Sequence, residues 1–211
     1  MRQQLFLLLY ALFLLISGVV LLFSEKQHIH LFLNSYYSGV GDVLMPVLTD
    51  LGDGITITVL VLLLFARDRK FALSTGIACL VSGLITQLLK HTFFSGEPRP
   101  KLYFIEQTGS DAALRYVPGI ENHLFDSFPS GHTTIAFAFF FALSFLFKKK
   151  YWQVIFFFLA FLIGYSRIYL SQHFLSDVAA GSVIGMIISL LTLYFFYFRN
   201  NSEATINTID A

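Results

Sequence analysis

Residues 127–147 read SFPSGHTTIAFAFFFALSFLF. Apart from Phe128, the first eight residues are polar or turn-forming, and the thirteen that follow are apolar except for Ser144. Ser and Thr hydroxyls satisfy the orphan N–H groups of a first helical turn, and Pro tolerates a position whose own N–H has no partner. The head is therefore a helix start. The body, apolar on every side, belongs in a large core or a membrane. Helix initiation does not account for His132, so the reason for an imidazole at this lip must come from the rest of the chain.

Of 211 residues, 56% are hydrophobic and 13% charged, 25 are Phe, and the mean hydropathy is +0.70. Those values exclude an ordinary soluble domain. A hydrocarbon core of ~30 Å asks for about twenty apolar residues per crossing, which leaves room for about six. They are expected at 4–23, 43–66, 71–90, 131–147, 151–170 and 177–198. The fold class is thus an all-α polytopic membrane protein. It forms one domain over 1–198, followed by a polar tail, 199–211, expected to be disordered and cytoplasmic. The first stretch has about twenty apolar residues and no A-x-A pattern before Ser24, so it is read as a helix and not as a signal peptide. In the second, LTDLGDGITI places Asp50 and Asp53 where carboxylates must lie near an interface or face protein, so that span is expected to begin as an interfacial helix.

Cys79 is the lone cysteine and lies in an apolar run, which excludes an internal disulfide. A net charge of +1 gives no basic footprint for nucleic acid. Arg2, RDRK at 67–70, KKK at 148–150 and Arg199 fall on one side of the six-span layout, and cytoplasmic loops carry such excess. That orientation puts the long segment 91–130 outside.

Three polar clusters gather on this outer face: KHTFFSGEPRP after the third span, PSGH opening the fourth, and SRIYLSQHFLSD joining the last two. Lys90 can snorkel to the headgroups. Arg167, between apolar FLAFLIGYS and IYL, needs an anionic partner, and a phosphate would serve. His173 and Asp177 are four apart, on one helical face. A carboxylate there can hold one ring nitrogen and leave the other free to attack, although such a pair also suits an interfacial His beside a helix-starting Asp. His132 lies in a first turn, where free N–H groups and the helix dipole attract anions. Gly131 admits a phosphate oxygen to the backbone, Ser130 adds a hydroxyl, and His132 can protonate a departing oxygen.

PSGH, followed by SR, five residues, H, three residues and D, resembles the second and third signatures of the type 2 phosphatidic acid phosphatase superfamily, in its membrane lipid phosphatase branch. The first signature there is Lys, six residues, Arg-Pro. Here Arg99-Pro100 supplies the pair, but Lys90 stands nine residues before Arg99, two more than the pattern. The resemblance implies His173 as a nucleophile that forms a phosphohistidine, Asp177 as its orienting group and His132 as the acid for the leaving alkoxide. Arg99, Arg167, Ser130, Gly131 and Lys90 would hold the phosphoryl oxygens, with Lys101 the next cation to consider.

The reaction expected is hydrolysis of a lipid phosphate monoester or diphosphate at the outer leaflet: undecaprenyl diphosphate first, then lipid A or a glycerophospholipid phosphate. Transfer of the phosphoryl group to another lipid is the alternative. A transporter or channel fits less well, because the polar groups sit at helix ends and not at the midplane. No cofactor or metal is expected, since His28, His30, His91 and His123 lack companion ligands at useful spacing. The expected setting is a bacterial inner membrane with the site facing the periplasm.

Overall fold

The computed structural model describes residues 3–199, so Arg2 and the tail from 200 onward lie outside it. Among the described residues, nine α-helices follow in order: α1 (Gln4–Phe23), α2 (Lys26–Asn34), α3 (Gly39–Asp50), α4 (Gly54–Leu64), α5 (Arg69–Thr92), α6 (Pro100–Thr108), α7 (Gly131–Leu143), α8 (Tyr151–Tyr169) and α9 (Leu175–Thr192). A π-helical turn, Leu193–Phe198, extends α9, and no strand occurs among the described residues.

By length and composition, α1, α5, α8 and extended α9 can each cross a membrane. The second expected span is not one continuous helix: α3 and α4 meet at a 61° bend and count as a fifth crossing only if taken together. The break is written locally. The Asp53 carboxylate accepts the Ile55 N–H at 2.8 Å, capping a new helix instead of continuing the old one. The expected crossing at 131–147 is α-helical only over Gly131–Leu143, thirteen residues or about 20 Å of rise.

That short helix is the hub of the molecule. Every residue from Ala136 to Ala142 is buried, against α5, α8 and α9. Phe6 of α1 reaches the same core edge-on to Phe141 and Phe157, with ring centroids 5.3 and 5.6 Å away. Packing of α7 on α9 is closest along GSVIG, residues 181–185. A Cβ on Gly181 would lie 2.5 Å from the Ser130 carbonyl oxygen, and one on Gly185 would collide with the Thr134 backbone. Ser189 Oγ donates to the Ala138 carbonyl at 2.8 Å. Small residues at four-residue spacing let two membrane helices touch backbone to backbone, and here that contact sets the start of α7 against the start of α9.

At this same end, α2, α6 and the irregular segment 109–130 cover the helix termini. Arg115 fastens the cover through two hydrogen bonds to the Asp42 carboxylate of α3 and stacks over the Tyr37 ring at 4.1 Å. Tyr169 Oη donates to the same carboxylate at 2.6 Å.

Candidate active site

α8 ends at Tyr169 with Leu170 as its cap, and Ser171 adopts the left-handed conformation (φ 52°) that turns the chain back on itself. The Gln172 and His173 N–H groups then both donate to the Arg167 carbonyl, at 2.8 and 3.1 Å. One helix end thereby positions an arginine and a histidine of the same motif. α9 begins two residues later, and Asp177 stands in its first turn.

Asp177 Oδ2 accepts three groups: the Phe174 N–H at 2.9 Å, the Ser127 hydroxyl at 2.6 Å and His173 Nδ1 at 3.4 Å. An ionised carboxylate only accepts, so His173 carries its proton on Nδ1 and its lone pair on Nε2. Both side chains are buried, each 2% exposed. Burial pushes the His173 imidazole well below the ordinary histidine range; Arg99 and Arg167 add to this and Asp177 opposes it. The ring therefore stays neutral, with its lone pair available, into mildly acidic solution.

Three cations surround this pair. Arg167, 8% exposed, donates from Nη1 to Thr49 Oγ1 at 2.6 Å, and its buried Nε has no hydrogen-bond partner among the described residues. Arg99, 9% exposed, donates from Nε to the Phe125 carbonyl at 2.8 Å. Lys90, 6% exposed, donates from Nζ to the Asp126 carbonyl at 2.8 Å. Each of the three acts electrostatically on His132 at the second position of α7. Among the described residues, no carboxylate forms an ion pair with any of them.

The irregular spacing from Lys90 to Arg99 has a simple geometry. α5 runs on to Thr92, the chain turns through Gly96 (φ 79°), and residues 96–99 return alongside 124–127. Arg99 N donates to the Leu124 carbonyl, Ser127 N to the Glu97 carbonyl and Gly96 N to Asp126 Oδ1. Lys90 and Arg99 therefore rest on consecutive carbonyls despite the two extra residues. Lys101 instead lies over the Tyr116 ring at 5.8 Å. Lys90→Met keeps the stem and removes the charge, and is expected to lower turnover thirtyfold to thousandfold, or ~2 to 4 kcal/mol. Steady-state phosphate release measures this; a loss under about threefold would make Lys90 an anchor only.

Ser130, whose hydroxyl is expected to face phosphate, is fully buried as the N-cap of α7. Its Oγ shares a 2.9 Å hydrogen bond with Thr133 Oγ1 and its N–H donates to the Asp177 carbonyl at 3.0 Å, so it ties α7 to α9. Above Gly131 there is space: a Cβ would meet only Thr86 Cγ2, at 3.8 Å.

Sequence reasoning missed Thr49, Ser127 and Gln172. Ser127 was counted among helix-starting hydroxyls, and the stretch around Asp50 and Asp53 flagged only an unusual span. No sequence signal marks Thr49 as the partner of an arginine 118 residues away.

His30, of α2, is 1% exposed, edge-on to Phe174 with centroids 5.2 Å apart, and its Nε2 lies 3.4 Å from Ser171 Oγ. Burial pushes its pKa down to about 4; Lys26 assists and Asp177 opposes. The folded chain holds this ring neutral, so its stabilising contribution is complete above an ordinary value of ~6.5 and is lost as pH falls from there through about 4, a change of about 3 kcal/mol. In detergent, His30→Leu is expected to melt with a shallower fall in midpoint between pH 7 and pH 4.5 than wild type. An unchanged fall would assign that acid sensitivity to other groups.

The chain is similar to several known proteins. Residues 71–201 match the PAP2 superfamily. A lipid A 1-phosphatase of Rhizobium johnstonii is 36% identical over 115 residues, 54% of this chain and 43% of that protein. The chain thus spans less than half the length of its rhizobial relatives. Undecaprenyl-diphosphatase BcrC of Bacillus subtilis is 33% identical over 76% of this chain and 78% of its own. The crystal structure of Aquifex aeolicus LpxE superposes with a TM-score of 0.70 at 28% identity, covering 82% of this chain and 97% of the other. With the family matched over more than half its length, and its later two signatures folded into one buried cluster, the chain belongs to the PAP2 superfamily.

Proposed function

We propose that the protein is an integral membrane lipid phosphatase that works through a phosphohistidine. The observation that carries this is the set of three buried cations, Lys90, Arg99 and Arg167, gathered around a buried His–Asp pair with no carboxylate ion-paired to them among the described residues. Buried charges need compensation, and a phosphoryl group bearing two negative charges supplies it. His173 Nε2 attacks phosphorus, the bond to the leaving oxygen breaks, and His132 gives that oxygen its proton. Water then attacks the phosphohistidine, His132 takes the proton back, and inorganic phosphate leaves with His173 restored. Asp177 balances the positive ring throughout. The fixed cations stabilise the transferring group. The space above Gly131 receives one of its oxygens, while Ser130 orients the backbone around it.

In this reading α1, α3 with α4, α5, α7, α8 and extended α9 make six crossings, with the site at the outer ends. The basic loops 67–70 and 148–150 then lie in the cytoplasm, and the site faces the periplasm of a bacterial inner membrane. Undecaprenyl diphosphate is the leading substrate, supported by the likeness to BcrC over three quarters of the chain. Lipid A and phosphatidylglycerophosphate follow.

Purified protein in detergent with a chelator, given these lipids and phosphatidic acid in parallel, should release inorganic phosphate from at least one. No release from any of them would overturn the proposal, and phosphate appearing on a second lipid would make the protein a transferase. An impermeant thiol label should reach a cysteine placed at 110 from outside intact cells and one placed at 149 only after lysis; the reverse pattern would invert the orientation.

A further inference from the structure

Gln172 is 2% exposed and stands one residue before the proposed nucleophile. Its Oε1 accepts from Arg99 Nη1 at 3.1 Å, and its main-chain oxygen is 3.4 Å from the same nitrogen. Its Nε2 donates to the Glu121 carbonyl at 2.8 Å and to Asn122 Oδ1 at 2.9 Å. Its N–H bonds to the Arg167 carbonyl. One residue therefore touches both arginines and the outer segment. The amide has a single workable orientation, because flipping it would set an NH2 against a guanidinium and an oxygen against two acceptors.

We propose that Gln172 is a positioning residue that holds Arg99 toward the phosphoryl group while leaving its positive charge uncompensated. The chain itself supplies the contrast. Arg115 is also held at two points, but by the carboxylate of Asp42, so its charge is satisfied internally. Arg99 is held only by neutral oxygens, those of Phe125 and Gln172, and among the described residues its Nη2 makes no hydrogen bond. A neutral acceptor fixes the direction of a guanidinium; a carboxylate would fix it and also compete with the ligand anion. Burial lowers the Arg99 pKa and Asp177 and Asp126 oppose this, neither of them hydrogen-bonded to the guanidinium among the described residues. The outer segment enters through the same amide: Glu121 and Asn122 hold Gln172, and Gln172 holds Arg99.

This rests on the phosphatase reading, and two measurements keep the ideas apart: kcat/KM for a lipid phosphate, and calorimetric binding of orthovanadate, which needs no turnover. Gln172→Glu is expected to weaken orthovanadate binding at least tenfold, equivalent to ~1.4 kcal/mol, and to lower kcat/KM by about a hundredfold, by giving Arg99 an internal counter-ion. Gln172→Met keeps the volume and removes the hydrogen bonds, and should cost about tenfold in kcat/KM. In an Arg99→Met background the same Gln172→Met change should cost less than about twofold, because its effect runs through the missing guanidinium. If Gln172→Glu fails to fold, the methionine cycle still decides the matter. Equal losses from Gln172→Met in both backgrounds would reduce Gln172 to loop packing and overturn the proposal, as would wild-type-like orthovanadate binding by Gln172→Glu. A wild type that binds orthovanadate but releases no lipid phosphate would overturn the phosphatase reading alone, and the cycle would then be read on binding.

Discussion

His173→Ala is expected to lower lipid phosphate release by a factor on the order of ten thousand or more, with insertion and helicity preserved. The substitution removes the imidazole and its Nε2 lone pair, yet keeps the backbone hydrogen bond from residue 173 to the Arg167 carbonyl. The cations and the first turn of α7 would remain and would still bind phosphate, so the loss should fall on kcat far more than on substrate affinity. Brief incubation with labelled substrate should trap an acid-labile, base-stable phosphoenzyme in the wild type and none in the variant. A variant within tenfold of wild type, or one that still accumulates labelled protein, would move the nucleophile elsewhere, with His132 next to be tested.

Asp177→Asn is expected to cost roughly a thousandfold to ten-thousandfold, by analogy with an orienting aspartate in a catalytic triad. An asparagine oxygen in place of Oδ2 can still accept from Ser127, Phe174 and His173, and Ser176, whose hydroxyl now donates to Oδ1 at 2.9 Å, can rotate to accept from the amide. Local geometry is thus retained and the loss isolates the charge. A neutral amide cannot balance an imidazole made positive by phosphorylation, so formation of the intermediate should slow while thermal stability changes little. The check is a pre-steady-state burst of product in the wild type that disappears in Asp177→Asn. Undiminished turnover would leave Asp177 as a cap for α9.

Much of this was legible before any fold was known, for reasons that differ from residue to residue. The four-residue spacing let His173 and Asp177 be paired, although the helical face expected for them is not what joins them: α9 starts only at Leu175, and Asp177 reaches back from its first turn to a histidine that precedes the helix. Arg167 stood out as a charge embedded in apolar sequence. The broken second span was foreshadowed by Asp50 and Asp53, which cannot be left in lipid, though the sequence reading did not identify the cap at Asp53 as the break. Other features were closed to sequence reasoning. Lys90 and Arg99 meet because the backbone of residues 124–127 returns beside 96–99, and a main-chain carbonyl has no sequence signature. Ser127 and Ser130 looked alike as hydroxyls at a helix start, but one holds the carboxylate of α9 and the other Thr133. The GSVIG stretch, which the sequence reading passed over, explains how two helix starts come within bonding distance.

The support of Lys90 and Arg99 by the carbonyls of Asp126 and Phe125 has an evolutionary consequence. A main-chain oxygen is the same whichever amino acid bears it. Substitutions at the neighbouring exposed positions Leu124 and Phe125 therefore alter the surface presented to an arriving headgroup without disturbing the scaffold beneath. Under the function proposed above, descendants of this chain can explore new lipid preferences along this rim while inheriting the reactive centre unchanged, so divergence in what the protein accepts need not await compensating change in how it reacts.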